Sequence, residues 1–366
     1  MEQLNQSQAL TRRHIPAGQD GFSLIEMMVS MAIFLFVSAA MYGLVDISNK
    51  ARNSTTQRGA LLAGTRTAML VMGRDAFNAG FGYPKTNVNL PDNKIPGLLN
   101  IPPDINTTRD SLPAVIAGKQ VNLNSLVPQT ASTPVPNRKT DQVTFVYQDA
   151  TFNRDASNQS QALPVNAPTL LSLGGGLDEI IPISGNASSC RPNDIMLITG
   201  RTSTTVGIVT GVVGSGVRFA GGDVLGINTP NAGDNPMRNI EAPTSMRRVT
   251  LVTYRILADG TLVRTLYGND PAATVSAPSR DEPLVYGVED MIVEYVLDDG
   301  QLTRNPISGP DGIAGTSDDT ASNQALVRQV RVTLVIQSSE KQADGKPYRV
   351  TLTTTFNTRN LGYDNA

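Results

Sequence analysis

One acid, Glu26, stands inside an otherwise apolar run from Phe22 to Val45, and no further charge follows until Asp46. As a helix the run is about 36 Å long at about 1.5 Å per residue, enough to cross a hydrocarbon core of about 30 Å. A carboxylate held at that depth costs roughly 2.5–3.5 kcal/mol on insertion scales, so a chain that keeps one is expected to supply a partner for it. Residues 1–21 are polar and place Arg12 and Arg13 just ahead of the run. Positive charge on that side holds the leader in the cytoplasm and sends the bulk of the chain outward.

Three simpler readings compete. A cleaved secretory signal would use Val37-Ser38-Ala39 as its small-residue site, but the apolar region of such a signal carries no acid. A twin-arginine signal would start at Arg12-Arg13, and the following His14-Ile15-Pro16 fits that pattern poorly. A plain single-pass anchor leaves Glu26 without a purpose.

The chain has 366 residues and a formal net charge of -2, room for one large domain or two ordinary ones beyond the apolar run. That charge balance argues against a protein built on nucleic-acid phosphates, and no nucleic-acid partner is expected. Aromatic residues make up 5%, Trp is absent, and Gly, Pro, Asn, Ser and Thr are plentiful, a composition suited to short strands joined by turns. Cys190 is the sole cysteine, so no intrachain disulfide can form and stability must come from the core or from bound ions. It reads as an ordinary small residue beside a turn.

Beyond the run the helix is expected to continue to about Asn78. Leu62, Arg66, Met69, Met72 or Gly73 and Ala76 recur at three- and four-residue steps, with Leu61, Leu70 and Phe77 beside them. This pattern is one stripe suited to packing on a head. Gly43, Gly59, Gly64 and Gly73 each weaken the helix by up to about 1 kcal/mol, and the helix gives out at Gly80-Phe81-Gly82-Tyr83-Pro84. Residues 85–140 read as a long irregular connection. Strands are expected at 143–147, 195–199, 204–213, 249–257, 261–267 and 288–297, with Asp259-Gly260 as a type I′ hairpin turn. Val330, Val332, Leu334 and Ile336 alternate, as do Val350, Leu352, Thr354 and Phe356, so those two strands are expected to pair antiparallel with one face buried. A second β-rich region is expected at about 150–245.

Gly21-Phe22-Ser23-Leu24-Ile25-Glu26, followed by the unbroken apolar helix, resembles the processing signature of type IV prepilins and of type II secretion pseudopilins. The resemblance implies an α+β, pilin-like fold: a long N-terminal helix, membrane-spanning in its first half, packed on an antiparallel sheet with an enlarged β-rich head. It implies a leader at 1–21, a helix at 22–80 with its membrane segment at 22–45, and a head at 81–366. A prepilin peptidase would cut between Gly21 and Phe22 and methylate Phe22. A residue without a Cβ before the cut lets a protease approach the backbone closely. The amine made at Phe22 would then meet Glu26 of a neighbouring subunit, two opposite charges in a low dielectric, which makes both residues assembly groups.

Leu70-Val71-Met72-Gly73-Arg74-Asp75-Ala76-Phe77-Asn78-Ala79-Gly80-Phe81-Gly82 and Val327-Arg328-Gln329-Val330-Arg331-Val332-Thr333-Leu334-Val335-Ile336-Gln337-Ser338 resemble the helix end and late strand of PilW-type minor pilins. That implies a filament-priming or tip role, with other minor pilins, the major pilin and the inner membrane as partners. The head would be periplasmic before assembly and at the cell surface afterwards. The rivals are a minor pseudopilin of type II secretion, and an adhesin or binding module carried on a pilin stem.

No enzymatic role is expected. His14, the only histidine, would leave with the leader, which removes Ser-His-Asp, Cys-His and histidine-zinc chemistry. Gly174-Gly175-Gly176 and Gly221-Gly222 lack the lysine and the strand-turn-helix setting of a phosphate loop. One loop, Gly309 to Asp319, has the oxygen donors for Ca2+ in Asp311, Asp318 and Asp319 on glycine-bent backbone. A solvated acidic turn is the competing reading there.

Overall fold

The computed structural model describes residues 21–84, 88–92, 94–101, 109–126, 139–166, 169–173, 176–183, 189–201, 203–229, 237, 240, 245–306, 322–341 and 345–359. Helix α1 spans Leu24–Asn78 and is followed by β1 (Val88–Pro91), α2 (Lys94–Leu99), β2 (Arg109–Ser111), β3 (Val115–Leu123) and β4 (Lys139–Gln148). Next come β5 (Leu163–Pro164), β6 (Thr169–Leu173), β7 (Gly176–Pro182), β8 (Ile195–Thr199), β9 (Thr204–Ile208), β10 (Gly211–Val213) and β11 (Gly216–Phe219). The chain closes with β12 (Ser245–Ile256), β13 (Leu262–Tyr267), β14 (Ser279–Val285), β15 (Val288–Leu297), β16 (Leu302–Thr303), α3 (Ser322–Ala325), β17 (Val327–Lys341) and β18 (Pro347–Asn357). The result is a long apolar N-terminal helix with a β-rich, mostly antiparallel head, the α+β pilin-like architecture expected from the sequence.

Contacts divide the chain into two units, residues 1–56 and 57–366. In the first, the described part of α1 is exposed almost throughout and is apolar enough, over a sufficient length, to cross a membrane. In the second, α1 buries Thr65, Ala68, Met69, Met72, Asp75 and Ala76. The helix stops as expected after Asn78, where Gly80 takes a φ of 84° and donates its N–H to the Val146 carbonyl at 3.0 Å. A left-handed residue of this kind is the usual end of a helix, and glycine adopts it without a Cβ penalty.

Three sheets make up the head. The largest has ten strands along the path β14-β13-β12-β8-β9-β1-β2, with β3, β4 and β5 attached; the two four-stranded sheets run β10-β11-β7-β6 and β16-β15-β17-β18. Period-two alternation sends successive side chains of one strand into different cores. On β8, Ile195 and Leu197 face one cluster with Val88, Leu90 and Leu251, while Met196 and Ile198 face another with Phe152, Ile181 and Phe219. The central core packs Met69, Met72 and Ala76 of α1 against Phe145, Tyr254, Tyr295, Val332 and Leu334. The late pair forms as its alternation requires, with Val330 opposite Phe356, Leu334 opposite Leu352 and Ile336 opposite Val350.

Four expectations need correction. The stretch 85–140 is not merely an irregular connection, because its described residues supply β1, α2, β2 and β3, and Leu90, Leu99, Leu112 and Ile116 are buried. β1, α2 and β2 have 4, 6 and 3 residues, too few to show periodicity, and β3 is interrupted by a bulge between Gly118 and Asn122. Residues 204–213 are two strands in two sheets, β9 and β10. The Asp259-Gly260 turn has a positive φ at Gly260 alone, with Gly260 N–H bonded to the Leu257 carbonyl at 2.9 Å. That is the type I turn with a left-handed glycine, since type I′ needs φ > 0 at both central residues. Lastly, the buried stripe of α1 is rotated from the expected one: Thr65 and Asp75 lie inside, whereas Arg66, Leu70 and Phe77 are exposed.

Candidate processing and assembly site

Ser23 is the last residue before α1, and its hydroxyl accepts the Glu26 N–H at 3.2 Å. In return the Glu26 Oε2 accepts the Ser23 N–H at 3.0 Å. This reciprocal pair is a capping box, which satisfies two of the backbone donors a helix start leaves over and places an acid at the positive end of the helix dipole. Gly21 and Phe22 lie just outside the cap, unwound and exposed, and a Cβ built on Gly21 would meet nothing within 4 Å. The peptide bond between them is therefore reachable by a protease that binds extended backbone.

The sequence favours a partner for Glu26 in another subunit over one in the same chain; here it has one in its own chain. The pattern Ser23-Leu24-Ile25-Glu26, serine followed three residues later by glutamate ahead of an apolar run, is itself the sequence signal for such a cap.

Asp311, Asp318 and Asp319 lie outside the described residues, as do Gly174 and Gly175. Among the described residues no group of three or more His, Cys, Asp or Glu side chains could hold a metal ion. Cys190 is buried beside β8, and burial pushes its thiol up to about 12, with the Asp194 carboxylate adding to the shift. Only the thiolate reacts, so thiol reagents at pH 8 are expected to label Cys190 about a thousandfold more slowly in the folded chain than in guanidinium. Equal rates in the two conditions, read by a colorimetric thiol assay, would refute that burial.

Sequence reasoning missed a buried polar cluster where α1 meets the largest sheet. Asp75, 1% exposed, accepts hydrogen bonds from the Tyr254 hydroxyl at 2.7 Å, the Tyr147 hydroxyl at 3.1 Å and the Arg264 Nε at 2.6 Å. Arg264 also reaches Glu282 at 2.9 Å, and Glu282 reaches Arg280 at 2.8 Å. Burial raises both tyrosine hydroxyls far above their ordinary range, and the Asp75 charge adds to it. An acid in the middle of a helix face resembles any solvated residue in sequence, and its partners lie on distant strands.

Residues 16–42 match the family described as the prokaryotic N-terminal methylation motif. No curated protein matches the chain at a significant level. The matched segment spans Gly21, Phe22, the capping box and most of the apolar run that ends at Val45. It supports a prepilin-type protein, a type IV pilin or pseudopilin, with a structural rather than enzymatic role. A signal of this kind implies processing by a prepilin peptidase and assembly with other pilins, and together with the apolar helix it fits a chain anchored in a membrane before assembly.

Proposed function

We propose that the chain is a minor pilin of the PilW type, acting in the initiation or tip complex of a type IV pilus. Residues 1–21 are a leader cut off between Gly21 and Phe22, the new Phe22 amine is methylated, residues 22–45 hold the subunit in the inner membrane, and residues 81–366 form a periplasmic head. The observation that carries the reading is a coincidence at one place. A non-helical, exposed Gly21-Phe22 bond abuts a capped helix start, the cap contains the lone acid of the apolar run, and all of it lies within the methylation-motif match.

Cutting creates a cation at Phe22, four residues before that acid, in the medium where an ion pair is strongest. Mass spectrometry of the mature N-terminus is expected to find a chain starting at methylated Phe22. A start at Ala40, or an intact Met1, overturns the reading. The methylation motif supports a pseudopilin equally, so a type II secretion subunit is the second reading. Deleting the gene is expected to remove pili and twitching; loss of protein secretion with normal pili would favour the pseudopilin.

A further inference from the structure

The sheet β16-β15-β17-β18 ends on β18, whose pairing with β17 runs unbroken from Arg349 opposite Gln337 to Asn357 opposite Gln329. Its outer edge has no strand partner among the described residues. Folded proteins blunt such edges with charges, proline, bulges or brevity, because a bare edge is a template for another strand. The other edges here are blunted. β14 carries Arg280, Asp281, Glu282 and Pro283; β3 is bulged between Gly118 and Asn122, with Gln120 at a φ of 50°. The edge strands β2, β5, β6, β10 and β16 have 5 residues or fewer. β18 has 11 residues and, from Val350 to Asn357, neither charge, proline nor glycine.

The side of β18 that faces α1 is only half-buried at Tyr348, Val350, Leu352 and Phe356. The helix runs beside it. Arg58 lies 4.2 Å from the Tyr348 ring centroid, a Cβ on Gly73 would fall 2.8 Å from the Phe356 ring, and Arg359 lies 4.5 Å from Phe77 and 5.1 Å from Phe81. On this flank Leu70 is 76% and Phe77 50% exposed. Aromatic rings, leucine and arginine in one open strip are the residue types that anchor protein interfaces.

We propose that the free edge of β18 and the adjoining flank of α1 receive an extended segment of a partner protein, which adds to the sheet as a further strand. Strand addition supplies main-chain hydrogen bonds, and alternate side chains supply specificity. The segment's inward side chains are apolar, to cover Leu70, Phe77, Leu352 and Phe356, and its ends are acidic, to meet Arg58 and Arg359. Antiparallel self-pairing of β18 in the register that sets Arg349 opposite Arg359 would bring like charges of the two copies together, which favours a different protein over a second copy, although Arg349 is already paired with Glu289 at 2.7 Å.

The test uses the full-length chain in native membranes, with a benzophenone photo-crosslinker at Thr353 and, as control, at exposed Tyr286. The expected product is a crosslink from position 353 to an acidic peptide of a different protein, absent from the control. Its yield should fall at least fivefold in the double variant Arg58→Glu, Arg359→Glu, whose melting temperature stays at the parent value. Crosslinks only to a second copy, a product shared with the control, no product, or a yield indifferent to charge reversal would each overturn the proposal. It does not depend on the pilin assignment, since a wrongly placed leader cut would leave these outcomes unchanged.

Discussion

Replacing Asp75 with alanine is expected to destabilise the β-rich unit by about 3–5 kcal/mol, the usual consequence of removing one partner from a buried charged cluster. The substitution leaves two buried tyrosine hydroxyls without their acceptor and strips Arg264, 11% exposed at its side chain, of its closest counter-charge. Glu282 remains to hold Arg264, so the loss should sit nearer the lower figure. A fall in melting temperature of about 10 °C follows at about 2–4 °C per kcal/mol, read by circular dichroism of the detergent-solubilised chain. Asp75→Asn keeps an acceptor and is expected to lose less. The paired change Asp75→Leu, Arg264→Met should recover only the part of the loss that comes from the stranded Arg264, since apolar replacement of both ions of a pair is often close to neutral but the Tyr147 and Tyr254 hydroxyls still lack their acceptor.

The same cluster sets a pH dependence. Both tyrosine hydroxyls are raised above their ordinary value, first by burial and then by Asp75. Their contribution is therefore complete below about pH 10, the unfolded value, and is lost only as the pH climbs above it. An Asp75→Ala chain that melts within 2 °C of the parent would show that α1 is held by its methionines and alanines alone.

How far the fold was legible depended on the range of each signal. Local signals were sufficient for the α1 end at Gly80 and for the pairing of Val330–Ile336 with Val350–Phe356, because turn chemistry and alternation both act over a few residues. The rotation of the α1 stripe was not legible. Asp75 turns inward to meet Tyr147, Tyr254 and Arg264, and Leu70 and Phe77 consequently turn outward. Hydrophobic periodicity counts apolar residues only, so it set Leu70 and Phe77 beside the stripe and gave no sign that Asp75 belongs in it. Of the candidate site, Gly21, Phe22 and Glu26 were singled out by the resemblance to the prepilin signature, and the methylation-motif match covers all three. The cap at Ser23 was readable too, but attention to the acid as a lone charge hid its role as a helix-start residue.

That cap makes the assembly role proposed for Glu26 separable from its structural role. In the free chain the carboxylate accepts from a neutral amide, the Ser23 N–H at 3.0 Å. A neighbour's ammonium at Phe22 would be a better partner, since charge-assisted hydrogen bonds are about twice as strong as neutral ones and the apolar surroundings amplify the attraction. Assembly is then an exchange in which Glu26 gives up a bond of about 1 kcal/mol for a stronger one. Glu26→Ala removes both partners and is expected to leave cleavage after Gly21 intact while lowering incorporation into pili at least tenfold, measured by immunoblot of sheared filaments. Ser23→Ala weakens only the cap, at about 1 kcal/mol, and should incorporate nearly as the parent does. Glu26→Gln is the deciding variant, because its amide oxygen can still cap Ser23 but cannot neutralise an amine. Parent-like incorporation of Glu26→Gln would show that Glu26 serves only to start the helix, and the charge exchange would have to be abandoned.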